Sequence, residues 1–136
     1  MSDTLIGRVI VPGQATGLAL VSDRPIGFLG GVDPDSGVVT EPGHPLEGCC
    51  IAGRVLVFPT GKGSTVGSYI LYRMAVAGLA PAAIINARSE PIVAVGALLA
   101  NIPMLDRVDL ARLTTGARLA IDGERITIDI ESICDE

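Results

Sequence analysis

Arg54-Val55-Leu56-Val57-Phe58-Pro59-Thr60-Gly61-Lys62-Gly63-Ser64-Thr65-Val66-Gly67-Ser68-Tyr69 decides how the rest of the sequence is read. Val55 to Phe58 is a continuous apolar run with β-branched and aromatic residues, the pattern of a strand buried on both faces. Pro59 ends it, because proline cannot donate to a strand ladder. Gly61 and Gly63 open backbone conformations closed to other residues. From Thr65 the period becomes helical. Val66, Ile70 and Met74 fall on one stripe with Leu71 and Ala75 beside it. Gly78 and Pro81 mark where the helix stops. Strand, glycine loop and helix in this order predict an α/β chain with a parallel sheet.

Ser64 thus sits where a strand hands over to a helix. Ligands of open α/β folds collect at that carboxyl edge of the sheet. Backbone N–H groups at a helix start carry partial positive charge, and Lys62 adds a full one. Ser64 also suits a plain helix cap, and the two readings are compatible. Two familiar nucleotide motifs fail here. A P-loop needs glycine at position 56, which is Leu56, and a hydroxyl residue after Lys62, where Gly63 stands. A Rossmann fingerprint needs an acidic residue about 20 positions on, and the next strand ends near Asn86 without one.

Gly61-Lys62-Gly63-Ser64-Thr65 resembles the glycine–serine loop of the aconitase swivelling domain, in which a serine before a helix takes the substrate proton. The whole chain more closely resembles the small subunit of the aconitase X family. The matching segments are Phe28-Leu29-Gly30-Gly31-Val32-Asp33-Pro34, Val57-Phe58-Pro59 through Gly67-Ser68-Tyr69, Ala80-Pro81-Ala82-Ala83-Ile84-Ile85, and Glu90-Pro91-Ile92-Val93-Ala94-Val95-Gly96-Ala97. They occur in order along most of the chain. Within the family, the loop is most similar to the archaeal-type phosphomevalonate dehydratases. The hydroxyproline dehydratases are the other branch. The resemblance implies a swivelling β/β/α domain and loss of water from a β-hydroxy acid. It implies Ser64 as proton acceptor and a heterodimer with a large subunit that holds an iron–sulfur cluster, of the 4Fe-4S kind.

Composition sets bounds of its own. A chain of 136 residues fits one domain, spanning 1–136, with a genuine core. Apolar residues make up 49%, and mean hydropathy is +0.52. Either the core is efficient or apolar surface is kept for a partner. No run approaches the ~18 apolar residues that span a bilayer, so no membrane is expected. The start, Met-Ser-Asp-Thr, lacks the basic region of a secretory signal, which predicts a cytoplasmic protein. A net charge of −5 and only two Tyr and two Phe argue against nucleic acid. Three cysteines, Cys49, Cys50 and Cys134, without C-x-x-C make neither a disulfide framework nor a metal site of this chain's own. Any cluster ligands then come from another chain.

Outside the central unit, Leu5 to Val11 reads as a strand with Gly7 as a possible bulge, and Gly17 to Val21 as a second strand. Ile26 to Val32 reads as short strand and loop, Val38 to Thr40 as a brief strand, and Glu41 to Cys50 as loop. His44 in that loop suits either a general base or a packing residue. Asp33 either orients a ligand or forms an Asx turn. Ala82 to Asn86 is a second buried strand. Ser89 caps a helix over Ile92 to Ala100, with Glu90 and Pro91 in its first turn. Ile102 to Leu105 is a third strand. This βαβαβ core predicts right-handed parallel crossovers. Ala117 to Ile121 and Arg125 to Ile130 form a hairpin around Asp122-Gly123. Asn86 and Arg88 fall on the Ser64 edge, where Arg88 either binds a carboxylate or phosphate or caps a helix end. The candidate site is therefore Ser64 as base, with Gly61, Lys62, Gly63, Thr65 and Arg88 around a small anionic substrate.

Overall fold

A computed structural model describes residues 2–129. The antiparallel strands come first: β1 (Ser2–Ile6), β2 (Arg8–Val11) and β3 (Gln14–Val21). A short turn, α1 (Phe28–Gly31), in which Leu29 and Gly30 depart from helical backbone angles, leads to a long irregular segment. The central unit follows as β4 (Val55–Phe58), α2 (Val66–Val76), β5 (Ala83–Asn86), α3 (Pro91–Ala100) and β6 (Met104–Asp106). A 3-10 turn at Leu110–Arg112 and the hairpin β7 (Arg118–Asp122) and β8 (Arg125–Asp129) complete the fold.

The eight strands run in the order β1-β8-β7-β3-β4-β5-β6-β2. β3 to β6 are parallel neighbours, and the remaining pairings are antiparallel. β3 joins the two regimes. Its first half, Gln14 to Leu18, pairs with β7, and its second half, Ala19 to Val21, pairs with β4. β1 and β2 lie at opposite ends of the order although only Gly7 separates them in sequence. One continuous segment therefore supplies both edges and curls the sheet back on itself.

Gly7 forms the corner, not a bulge. A Cβ there would lie 2.8 Å from Val108 Cγ2 and 3.1 Å from the Asp106 carbonyl oxygen. The bulge is at Ile10, where the β2–β6 register slips between Val9 and Val11.

The alternation of side chains across β4, β5 and β6 sorts the core into two layers. Leu56, Phe58, Ile84 and Met104 pack toward α2 and α3, with Leu71, Met74 and Val93. Val55, Val57, Ile85 and Leu105 pack toward the antiparallel strands, with Leu119, Ile121 and Ile126. This is the expected β/β/α layering.

Both helix ends have local causes. At the end of α2, the Gly78 N–H bonds the Ala75 carbonyl and the Leu79 N–H bonds the Met74 carbonyl, a Schellman closure with Gly78 at φ +77°. At the start of α3 the cap is Glu90, not Ser89. The Glu90 carboxylate accepts the Ile92 and Val93 N–H groups at 2.9 and 3.1 Å, and Pro91 takes the first helical position. The buried face of α2 is also rotated from the expected stripe. Gly67, Ser68, Leu71 and Met74 are buried while Val66 is exposed. Gly96 of α3 explains the rotation. A Cβ there would lie 3.2 Å from Ser68 Cα, so the helices cross on small residues.

Smaller differences lie in the irregular segment, where Val38 and Val39 make only isolated bridges, to Cys50 and Val32. Ile130 and Cys134 lie outside the described residues.

Candidate functional site

The glycine–serine loop leaves β4 at Pro59 and enters α2 at Val66. It is laid along a second glycine-rich segment. Ile26 and Gly61 form a parallel bridge, and the Lys62 N–H donates to the Ile26 carbonyl at 3.1 Å. A Cβ on Gly27 would lie 2.7 Å from the Lys62 carbonyl oxygen, so only glycine allows this approach. Gly61 is buried and equally constrained, since a Cβ would lie 2.5 Å from Val93 Cγ2 and 2.8 Å from Glu90 Oε1. Gly63 has φ +103°, a conformation that L side chains rarely adopt.

Ser64 is exposed at the entrance to α2. Its Oγ accepts the Val66 N–H at 3.2 Å, and its carbonyl accepts the Gly67 N–H at 2.9 Å. The hydroxyl therefore does cap the helix, although Thr65 is the residue at the cap position and makes no side-chain bond there. The same geometry leaves Ser64 Oγ open to solvent at the positive end of the helix dipole. Capping and delivery of an oxygen nucleophile or base are compatible on this atom.

Lys62 projects beside the loop and is paired. Its Nζ lies 3.0 Å from Glu41 Oε1, with the two side chains 48% and 28% exposed. Thr65 is exposed and borders a groove between α2 and α3, where Tyr69, Val95 and Leu99 are also exposed. The high hydropathy is divided between a buried core and an apolar helical face next to the loop.

Arg88 stands on the turn after β5, exposed and without a side-chain hydrogen bond or ion pair among the described residues. The turn is joined to the Ser64 loop through one carbonyl: the Ala87 and Arg88 N–H groups donate to Pro59 O at 3.1 and 3.0 Å. Asn86, fully buried at the end of β5, adds a bond from Nδ2 to Phe58 O at 2.9 Å, while its Oδ1 has no partner among the described residues. From the other side, Asp106 Oδ2 accepts the Ser89 N–H at 3.0 Å. Asp106 is itself gripped by Arg8, Nε to Oδ1 at 2.8 Å and Nη2 to Oδ2 at 2.7 Å. The Arg8 guanidinium, aided by the Ser89 donors and opposed by burial, lowers the Asp106 carboxyl to about 2.

The remaining candidates resolve into structural roles. His44 is buried with both ring nitrogens engaged. Nδ1 accepts the Leu46 N–H, so Nε2 carries the proton and donates to Pro25 O at 3.1 Å. It packs the loop and is not a free base. Asp33 forms the Asx turn, with Oδ1 accepting the Asp35 N–H and Oδ2 the Ser36 hydroxyl, and these bonds hold its carboxyl below the usual range. Cys49 is half-buried and Cys50 exposed, both free.

Among the described residues no group of three His, Cys, Asp or Glu side chains could hold a metal ion. No described helix is long and apolar enough to cross a membrane. The sequence gives Glu41 no role beyond the start of a loop and puts Glu90 in the first turn of α3, where the structure makes it the cap. Glu41 lies 21 positions from the lysine it pairs with, and nothing local in its loop marks it.

Comparison with known proteins adds the family. The model of the aconitase X swivel domain matches residues 4–130. The phosphomevalonate dehydratase small subunit of Pyrococcus furiosus is 48% identical over 126 residues, covering 93% of this chain and 94% of that protein. The protein of the same name from Methanocella arvoryzae is 53% identical over 123 residues, 90% of each chain. The crystal structure of Thermococcus kodakaraensis aconitase X in its holo-form superposes with a TM-score of 0.91 at 47% identity, over 93% of this chain and 98% of that one. With the β/β/α layering and the glycine–serine loop in place, the chain belongs to the aconitase X family, as its swivel domain.

Proposed function

We propose that this chain is the small subunit of a hydro-lyase that converts (R)-5-phosphomevalonate to trans-anhydromevalonate 5-phosphate. It contributes Ser64 as proton acceptor to a site shared with a large subunit. The observation that carries this reading is Ser64 itself. It is exposed on a loop stripped of side chains at Gly61 and Gly63, in a chain about half identical to proteins of that name.

Dehydration of a β-hydroxy acid removes a weakly acidic proton beside a carboxylate and lets hydroxide leave. In this reading Ser64 Oγ accepts the proton at the carbon. Serine does this only as an alkoxide, and the Val66 N–H and the helix dipole favour that charge. The loop N–H groups, Lys62 and Arg88 receive the anionic groups of the substrate. An iron–sulfur cluster held by the large subunit would supply the Lewis acidity that helps hydroxide leave. The apolar α2–α3 face beside Thr65 lies next to the loop that must reach across to that subunit.

Ser64→Ala in the reconstituted two-subunit enzyme tests the reading. We expect kcat to fall at least ~10²-fold while stability drops only about 1 kcal/mol, the value of a lost cap. Normal turnover with that same stability loss would reduce Ser64 to a cap and the chain to a non-catalytic module.

A further inference from the structure

Resting on that reading of the loop, we propose that Glu41 is a positioning residue, fixing the Lys62 ammonium where it meets the anionic group of the substrate. Glu41 Oε1 and Oε2 stand 3.0 and 3.1 Å from Lys62 Nζ, so both carboxylate oxygens hold the ammonium. An ammonium has three N–H donors, and this grip leaves at least one for an incoming anion.

The glycine segment Gly27–Gly31 is the floor of the pair. Gly27 lies under the Lys62 carbonyl, where a Cβ would be 2.7 Å away, and Gly31 lies under the Glu41 carboxylate, where a Cβ would be 3.6 Å from Oε1.

Glu41 is held from both sides. The preceding Thr40 N–H donates to Gly31 O at 3.0 Å, and Glu41 O accepts the His44 N–H at 3.2 Å. Two residues on, Gly43 is tied through its carbonyl to Arg24 Nη1 and through its N–H to Glu47 Oε1, each at 3.0 Å. The buried His44 ring bonds Pro25 O. The loop thus presents a carboxylate that is less exposed than the lysine it binds.

A half-exposed ion pair adds little to folding stability. What this one changes is where a flexible, rotamer-rich side chain spends its time. A charge already in place spares its ordering when the ligand binds. The otherwise unassigned Glu41-Pro42-Gly43-His44 turn then has a function, delivery of one carboxylate to Lys62.

A double-mutant cycle in the two-subunit enzyme, with (R)-5-phosphomevalonate as the probe, tests the proposal. Glu41→Gln is expected to raise KM about tenfold with kcat within about twofold, as for lost ground-state binding. Its melting temperature stays within about 2 °C of the parent. In a Lys62→Gln background the same change is expected to add less than about twofold, since the two residues act as one unit. A lowered KM for Glu41→Gln would overturn the proposal, because removal of a negative charge, not loss of position, would then dominate. An undiminished effect in the Lys62→Gln background would overturn it equally. Lys62→Gln at parental KM and kcat would sink the reading of Lys62 itself, and the proposal with it. Lys62→Gln impaired with Glu41→Gln at parental values would sink the proposal alone.

Discussion

At the scale of single residues, the site is defined as much by missing side chains as by present ones. Gly61 is the sharpest case, with Val93 Cγ2 and Glu90 Oε1 already occupying the space of a Cβ. Neither neighbour can yield freely, since Val93 is core and the Glu90 carboxylate holds the start of α3. Gly61→Ala is therefore expected to cost about 1–3 kcal/mol by overpacking. The midpoint of urea unfolding should fall with the slope unchanged. Gly61, Gly63, Lys62 and Ser64 were legible as a loop because they are consecutive. Their spacing alone makes the strand–turn–helix join. Glu41 was not legible, because only the folded chain sets it against Lys62.

At the scale of elements, local sequence fixed where strands and helices lie, while their neighbours fixed which faces they bury. β4 is Val55 to Phe58 in both the pattern and the structure, a continuous apolar run buried at every position. α2 lies where the period puts it, and Leu71 and Met74 are buried as expected, but Val66 is turned out, because Gly67 and Ser68 take the buried face at the crossing with α3. The start of α3 shows the limit of cap statistics. Serine is the commoner cap, yet Ser89 gives its N–H to Asp106 and the Glu90 carboxylate spans two helix N–H groups. Glu90→Ala should lower stability by about 1 kcal/mol. Hydrogen exchange should show the loss first at the Ile92 and Val93 amides, whereas a Glu90 that merely sits on the surface would leave those rates unchanged.

At the scale of the whole molecule, the Arg8–Asp106 pair links the segment that closes the sheet to the turn that carries Arg88. The folded Asp106 carboxyl titrates at about 2, below the ordinary 3.8. Its contribution is thus fully present above about pH 4 and is lost as pH falls toward 2, amounting to roughly 2 kcal/mol. Asp106→Asn should be less stable than the parent by about that amount at pH 7 and converge on it near pH 2. Denaturant unfolding at a series of pH values reads this directly, and a gap that stays constant with pH would place its source elsewhere. The sequence by itself determined the βαβαβ core, the hairpin and the glycine–serine loop. Each is written in periodicity and turn chemistry over a few consecutive residues. Only the tertiary structure decided the closing of the sheet at Gly7, the pairing of Glu41 with Lys62 and the grip of Arg8 on Asp106. These depend on groups far apart in sequence, whose contact is set by how the layers pack and not by any local preference of the chain.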